Sequence, residues 1–567
     1  MKEFIKNLSE NKFVFWGCFG IIILLGLGLR LTLVDFPLWY DEGCSIATAV
    51  KDFPFGIDDY LWNHDLQHTP LYFYILHFIM NIFGDSVVVM RLSSLIISIL
   101  ALPLTYIVTE KLSSKKVGLL AMLLMSVNTF QVLYSIEIRM YPYVILLSLL
   151  SINYLIDYDR NSDKKSLIKL GIVNVLNPYF LTGSIVFVIA QFIIYSCYLD
   201  YKHADEEKIS NYMFANVMMG LFLIPYVVII VHYALVRSQF LLTDLSAFCQ
   251  MNFWGMLQNL FACDPGHIHE TRFEDFPINT STILLVFLPI IGMVVGLINS
   301  LRDKEKLNHI ILGIISLCFL IFMVLAYTKT TAFTGRYLIF ITPFIFILAA
   351  IGFSKFNKYI VILLALLYSA GCLYGLHSTY KYYRDIAEFS LKSPADFCKK
   401  NYPGKDNLVI MPFASSVSFY YFKGDDMPRV MPLELLHEIR NPDSKVVYDD
   451  VQSQALKTKD KYKVFQGIML KDNFISKNLT EFLDGYVKSV PKGGYIIWVV
   501  YYTDNYAIQR PEAVKRAYAN LDNVINYTST GMLSKFDLDL LSILEQRAKF
   551  VTKDRDSSNQ FFVFQRK

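Results

Sequence analysis

The chain has no CxxC pair and no Cys/His spacing of the kind that holds zinc, although it carries eight cysteines. Cys18, Cys197, Cys318 and Cys372 lie inside apolar runs and read as core residues. Cys249 and Cys263 share one outer loop, where an oxidising compartment permits a disulfide. A G-x-G-x-x-G step, a P-loop and a G-x-S-x-G turn are all missing, so the usual cradles for ATP or a soluble nucleotide are set aside. Net charge is scarce too: +4 over 567 residues, spread over both halves, which argues against a nucleic-acid partner. No repeat of fixed period and no low-complexity linker is present, which excludes solenoids and tethered arrays.

What is abundant is apolar surface. Hydrophobic residues make up 54% of the chain and aromatics 15%, with a mean hydropathy of +0.39, beyond what a soluble domain carries. The pattern predicts a polytopic α-helical membrane protein with about eleven spans, near residues 13–34, 87–109, 117–134, 142–158, 166–178, 181–199, 213–235, 279–300, 309–327, 337–353 and 359–378. Lys2, Lys6 and Lys12 precede the first run, which reads as an uncleaved signal anchor. The connectors Lys111…Lys116, Arg160…Lys165, Arg302…Lys306 and Lys355…Lys358 fall on the same side as that N-terminus, so the positive-inside rule makes this side cytoplasmic. The parity holds if the stretch 69–83, about 15 residues with His77 inside it, lies along the interface and does not cross.

Residues 35–86, 135–141, 236–278 and 328–336, and the chain after 379, are thereby expected outside the cytoplasm. The predicted division is a membrane module over 1–378 and a soluble extracytoplasmic α/β domain over 379–567. Strands are expected at Asn407–Met411, Tyr495–Tyr501 and Phe561–Phe564, helices at Pro511–Leu521 and Asp537–Arg547, and a connecting helix at Tyr380–Ser393.

Carboxylates are costly in hydrocarbon, so an acidic pair at the lip of the first span, Trp39-Tyr40-Asp41-Glu42, marks a site. If the two begin a helix they stand about 100° apart around its axis, so one of them, taken as Asp41, faces a reacting atom. Either could instead cap that helix. Asn63-His64-Asp65-Leu66-Gln67-His68-Thr69-Pro70 adds imidazoles and a carboxylate to the same loop, a set suited to acid–base work or to a divalent cation. Tyr134-Ser135-Ile136-Glu137-Ile138-Arg139-Met140-Tyr141 sets an acid and a base between two spans. Extended backbone would put Glu137 and Arg139 on one face, as a structural ion pair or as joint ligands of an anionic headgroup. Arg336-Tyr337 stands at the lip of a late span, where the guanidinium suits a lipid-linked phosphate or snorkels to the interface. Trp254, Asp264, His267, His269, Glu270 and Arg272 form a polar loop face whose His-x-His step is a weak metal signal.

The order of Trp39-Tyr40-Asp41-Glu42, His68-Thr69-Pro70-Leu71-Tyr72, Phe83-Gly84-Asp85-Ser86 with Arg91-Leu92-Ser93-Ser94, the Glu137–Arg139 segment, and Arg336-Tyr337-Leu338 with Pro343 resembles the GT-C glycosyltransferases. The nearest branch is the protein O-mannosyltransferase and aminoarabinose-transferase-like group, over about residues 13–380. The resemblance implies a polyprenyl-phosphate-linked sugar donor, an extracytoplasmic glycolipid, polysaccharide or protein acceptor, and inversion at the sugar carbon. It implies Asp41 as the catalytic carboxylate beside Glu42, Glu137 and Arg139 as a second motif, and Arg336, Tyr337 and Arg139 at the donor phosphate. His68 and Tyr141 are pocket candidates, and the metal is unassigned. Relatives of that group often have a Pro-Pro or Lys-Pro step where this chain has His68-Thr69-Pro70, so a lysine contact to phosphate does not carry over.

The competing expectation is a transporter or flippase of lipid-linked sugars. Evident inverted repeats are missing, and ionisable residues deep in the spans are few, with Arg30 and His232 as exceptions. An inactive, glycan-binding relative fits the intact acidic motifs less well.

Overall fold

An apolar run as long as a bilayer is thick must bond its own backbone groups, which makes it a helix. A computed structural model describes residues 12–239 apart from 64 and 66, then 287–296, 298, 306–327, 335–387, 392–411, 420–424, 426–432, 446–447, 475–476, 487–501, 525–528, 531–534, 543–555 and 559–567. Its helices are α1 Lys12–Leu31, α2 Tyr40–Ala49, α3 Phe55–Asn63, α4 Leu71–Phe83, α5 Val87–Leu112, α6 Lys115–Val127, α7 Thr129–Tyr134, α8 Tyr141–Asn161, α9 Lys164–Phe180, α10 Ile185–Tyr201, α11 Glu206–Phe222 and α12 Ile224–Gln239. There follow α13 Phe287–Gly296, α14 Lys306–Tyr327, α15 Thr342–Phe353, α16 Lys358–Ala387 and α17 Lys392–Asn401.

The apolar runs lie on helices over most of their described residues, 279–286 lies outside the described residues, and the stretch expected not to cross forms α4, 13 residues long. Among the described residues six helical stretches are long and apolar enough to cross a bilayer; α11 and α12, bent by 55°, make a seventh if they are one broken span. Phe13, Trp16, Ile21 and Leu24 on α1, Ile168 and Ile172 on α9, and Leu363, Leu366 and Leu367 on α16 are exposed, a surface fit for lipid and not for water. The chain is an integral membrane protein.

Contacts divide the chain into two units, Met1–Asp35 with Leu61–Tyr383, and Phe36–Tyr60 with Arg384–Lys567. The helical unit has α15 buried along its whole length. Polar side chains inside it close on one another. Ser151 donates to Asn174 Oδ1 at 2.6 Å, Asn174 to Gln191 Oε1 at 2.6 Å, and Gln191 back to Ser151 Oγ at 2.8 Å, a ring joining α8, α9 and α10. Such bonds hold helices together where water cannot compete. Arg30 ties α1 to α5 and α6, donating to Ser98 Oγ at 3.2 Å, Ser126 O at 3.1 Å and Gly26 O at 2.9 Å. His232 stacks on Trp62 with ring centroids 3.7 Å apart and bonds its carbonyl at 3.1 Å. The two ionisable residues singled out for a transport path are thus both engaged in packing.

Small residues let α13 and α15 touch. A Cβ on Gly292 would stand 2.8 Å from Ala349 O, one on Gly296 would stand 3.1 Å from Leu348 O, and Gly352 faces the Gly292 carbonyl directly. Gly352→Leu is therefore expected to force the helices apart at a cost of about 1–3 kcal/mol or more. A lowered thermal midpoint of the purified protein, against no change for Leu363→Val on the exposed face, is the check.

The second unit contains β1 Leu408–Met411, β2 Arg429–Pro432, β3 Val446–Val447, β4 Ile475–Ser476, β5 Tyr495–Tyr501, β6 Ile525–Thr528, β7 Gly531–Ser534, β8 Ala548–Arg555 and β9 Asn559–Arg566. Five form a mixed sheet in the order β2-β1-β5-β9-β8, with β1 parallel to β2 and β5, and β9 antiparallel to β5 and β8. The runs Leu408–Met411 and Ile496–Val499 are buried throughout, the signature of strands covered on both faces. Ala395 and Cys398 of α17 pack on one face, with Phe397 stacked on Phe561 at 3.7 Å. The three expected strands are present. The expected helix at 511–521 lies outside the described residues, and of 537–547 the described part, 543–547, is helical. The connector is helical as far as Ala387, and a separate helix begins at Lys392.

Candidate functional site

In the second unit the acidic pair opens α2. Trp39 is the N-cap in extended conformation, and Glu42, at the third helical position, turns back so that its Oε2 accepts the Trp39 N–H at 3.2 Å. A carboxylate there satisfies an otherwise unbonded donor and opposes the positive helix end. Glu42 is fully buried, whereas Asp41 is half-buried and its carbonyl accepts the Ser45 hydroxyl at 3.1 Å. Of the pair, Glu42 is the one turned back to cap its own helix. The approach to α2 is fixed from the C-terminal part of the unit, where the Tyr421 hydroxyl accepts the Leu38 N–H at 2.7 Å.

Lys51, just past the end of α2, escapes sequence reasoning because an isolated lysine after a helix reads as solvated. It is 7% exposed, with Nζ 5.1 Å from the centre of the Tyr60 ring. Burial pushes its ammonium from the ordinary 10.5 down to about 8. Between those two values the unfolded chain holds a proton that the folded chain does not, so stability rises with pH across that window. Thermal midpoints measured from about pH 8 to 10.5 should rise more steeply in wild type than in Lys51→Met.

In the helical unit Asp65 and Arg139 meet at His68. Its Nδ1 stands 2.7 Å from Asp65 Oδ1, and its Nε2 stands 2.8 Å from Arg139 Nη2. Burial alone would raise the Asp65 carboxyl, but the bond from the His68 ring, the charge of Arg139 and the bond from Gln67 hold it below the usual carboxylate value. The loop is clamped to the break between α9 and α10. Thr69 Oγ1 donates to Tyr179 O at 2.8 Å and to Pro178 O at 3.1 Å, and Thr182 Oγ1 donates to Gln67 O at 2.7 Å.

The segment 135–140 between α7 and α8 is not extended. Arg139 N–H donates to Glu137 O at 2.7 Å in a tight turn, and Glu137 and Arg139 are 6% and 5% exposed. Six residues join α7, which runs to Tyr134, to α8, which starts at Tyr141, and the Arg139-to-Glu137 bond closes a turn among them. The Arg139 guanidinium lies 6.0 Å from the centre of the Tyr141 ring. Arg336 and Tyr337 sit together in the 3₁₀ turn Gly335–Ile341 ahead of α15, the guanidinium 5.6 Å over the Tyr337 ring, and that turn packs against α8.

Among the described residues no three His, Cys, Asp or Glu side chains are grouped to hold a metal ion. His64, the 254–272 loop face, Cys249 and Cys263 lie outside the described residues.

A model of the dolichyl-phosphate-mannose-protein mannosyltransferase family matches residues 67–195. The fold is similar to that of ArnT from Cupriavidus metallidurans in the apo state, with a TM-score of 0.53 at 9% identity, covering 96% of this chain and 98% of that one. The same protein bound to undecaprenyl phosphate gives a TM-score of 0.52, with the same identity and coverage. No curated protein matches the chain. Family model and fold both agree with the GT-C resemblance read from motif order.

Proposed function

We propose that this chain transfers a sugar from a polyprenyl-phosphate donor to an extracytoplasmic hydroxyl acceptor on a glycolipid, polysaccharide or protein. The observation that carries the reading is the match over 67–195, which contains His68, Glu137, Arg139 and Tyr141 in the order of the motifs. An end-to-end fold shared with a protein that binds undecaprenyl phosphate supports the donor class. The positive-inside pattern supports a cytoplasmic N-terminus and an external sheet domain over the residues after 379.

In this mechanism Asp41 accepts the acceptor hydroxyl's proton as the oxygen attacks the sugar's anomeric carbon. The bond from that carbon to the phosphate oxygen breaks on the opposite face, with inversion, and polyprenyl phosphate departs carrying the electron pair. Arg139 and Arg336 offset the charge that grows on the leaving phosphate, where fixed cations in a dry site act most strongly. Glu42 keeps α2, and with it Asp41, in place.

The test is purified protein in proteoliposomes with labelled polyprenyl-phosphate sugars and envelope acceptor fractions, with and without a chelator. Label should move to an acceptor as free polyprenyl phosphate accumulates, and loss of transfer on chelation alone would assign a divalent cation. Intact lipid-linked sugar crossing the bilayer with no transfer would replace this reading by the transporter.

A further inference from the structure

His68 joins residues that the sequence keeps apart, and its bonding fixes its chemistry. A guanidinium has only hydrogens to offer, so the Nε2 that stands 2.8 Å from Arg139 Nη2 must accept. The ring is then neutral, with its proton on Nδ1 donated to Asp65 Oδ1 at 2.7 Å. Side-chain exposures of 13% for His68 and 18% for Asp65 leave water little access to replace either partner. The Phe73 ring meets the imidazole edge to face at 6.0 Å, and the bonds of Thr69 and Gln67 to the α9–α10 break keep the loop from swinging away.

We infer that His68 is a positioning residue whose neutral ring aims the Arg139 guanidinium at an anionic phosphate, and that protonation of His68 releases Arg139 and weakens the hold on that phosphate. This rests on the reading of Arg139 as a phosphate ligand. A proton on Nε2 would set two donors and two positive charges face to face. Arginine does not give up its proton in this range, so the contact must break.

Asp65, from the same loop, and Arg139, from the 135–140 turn, are the charged groups bonded to the ring, one on each nitrogen. Glu137 stands two residues from Arg139 on that turn, the α9 end contributes the Pro178 and Tyr179 carbonyls that hold Thr69, and α4 contributes the uncharged Phe73. Asp65 would hold the imidazolium once formed, so acid moves the cation off Arg139's partner and does not simply loosen the cluster. Conformation and charge are thereby coupled at one nitrogen.

The test is binding of undecaprenyl phosphate to the full chain in nanodiscs from about pH 5 to 8. His68→Gln keeps an acceptor oxygen and cannot gain charge, while His68→Leu keeps neither. The probe's own phosphate titration is common to all three proteins and drops out of the comparison. At the alkaline end His68→Gln should bind within about threefold of wild type and His68→Leu about tenfold more weakly, the scale of one hydrogen bond to a charged group. Towards acid, wild type should lose about tenfold more affinity than His68→Gln. Parallel pH profiles for wild type and His68→Gln would overturn the inference and leave the phosphate reading standing. No binding by wild type at any pH would overturn both. If His68→Leu does not fold, the wild-type and His68→Gln profiles decide alone.

Discussion

Asp41→Asn should lower kcat for sugar transfer by about 100- to 10,000-fold, the range for losing a general base, while donor binding and the thermal midpoint stay near wild type. The amide is isosteric with the carboxylate, so the half-buried position on α2 is refilled without a cavity. The helix also keeps its cap, because Glu42 and not Asp41 accepts the Trp39 N–H. Glu42→Ala should show the opposite pattern, a loss of about 1 kcal/mol in stability with a smaller fall in turnover, since a buried carboxylate that closes a helix start has been removed. Glu42→Gln should be milder still, because glutamine can accept the same N–H. Single-turnover transfer and thermal denaturation, run on the three variants side by side, separate the roles. Asp41→Asn transferring at the wild-type rate while Glu42→Gln is inactive would exchange the two assignments.

The parts of this protein that the sequence makes legible are those set by local pattern. Apolar length places the helices, because a span must satisfy its own backbone. Continuous apolar runs place β1 and β5, because both faces are covered. The start of α2 is legible for the same reason, as acidic residues at a helix N-terminus are a local electrostatic matter. What the sequence hides is set by partners far along the chain. Phe36–Tyr60 groups with Arg384–Lys567 and not with the span it follows, and nothing around Leu38 announces a bond to Tyr421. Lys51 carries no local mark of burial. The contact between His68 and Arg139 joins residues 71 apart, and the turn at 135–140 is closed by a backbone bond from Arg139 to Glu137 that the residue types there do not announce. The motif order brings these residues into one list, but the neutral tautomer of His68 follows only from the identity of its two partners.

Arg139→Lys is the second change expected to have a large effect, lowering kcat/KM by about 100-fold, on the scale of losing one preorganised donor to a developing anion. Charge is conserved, so a purely coulombic role would survive. Lysine is a point charge on a flexible stem and cannot bond His68 Nε2 while presenting a planar pair of N–H groups elsewhere. The loss should fall on kcat as well as KM. The donor phosphate is a diester with one negative charge, and departure of the lipid phosphate adds charge as the sugar bond breaks, so the guanidinium contributes more in the transition state than in the ground state. Arg336 provides the internal comparison. It is half-buried, over the Tyr337 ring at 5.6 Å in its own turn, and Arg336→Lys should cost less if its main partner is that ring. Kinetics of the two single variants and the double variant measure whether both guanidinium groups act on one phosphate. Losses that add would mean independent roles, and a double variant no worse than Arg139→Lys would mean a shared ligand. Wild-type kcat/KM in Arg139→Lys would remove Arg139 from the donor site, and with it the reason for His68 to hold it.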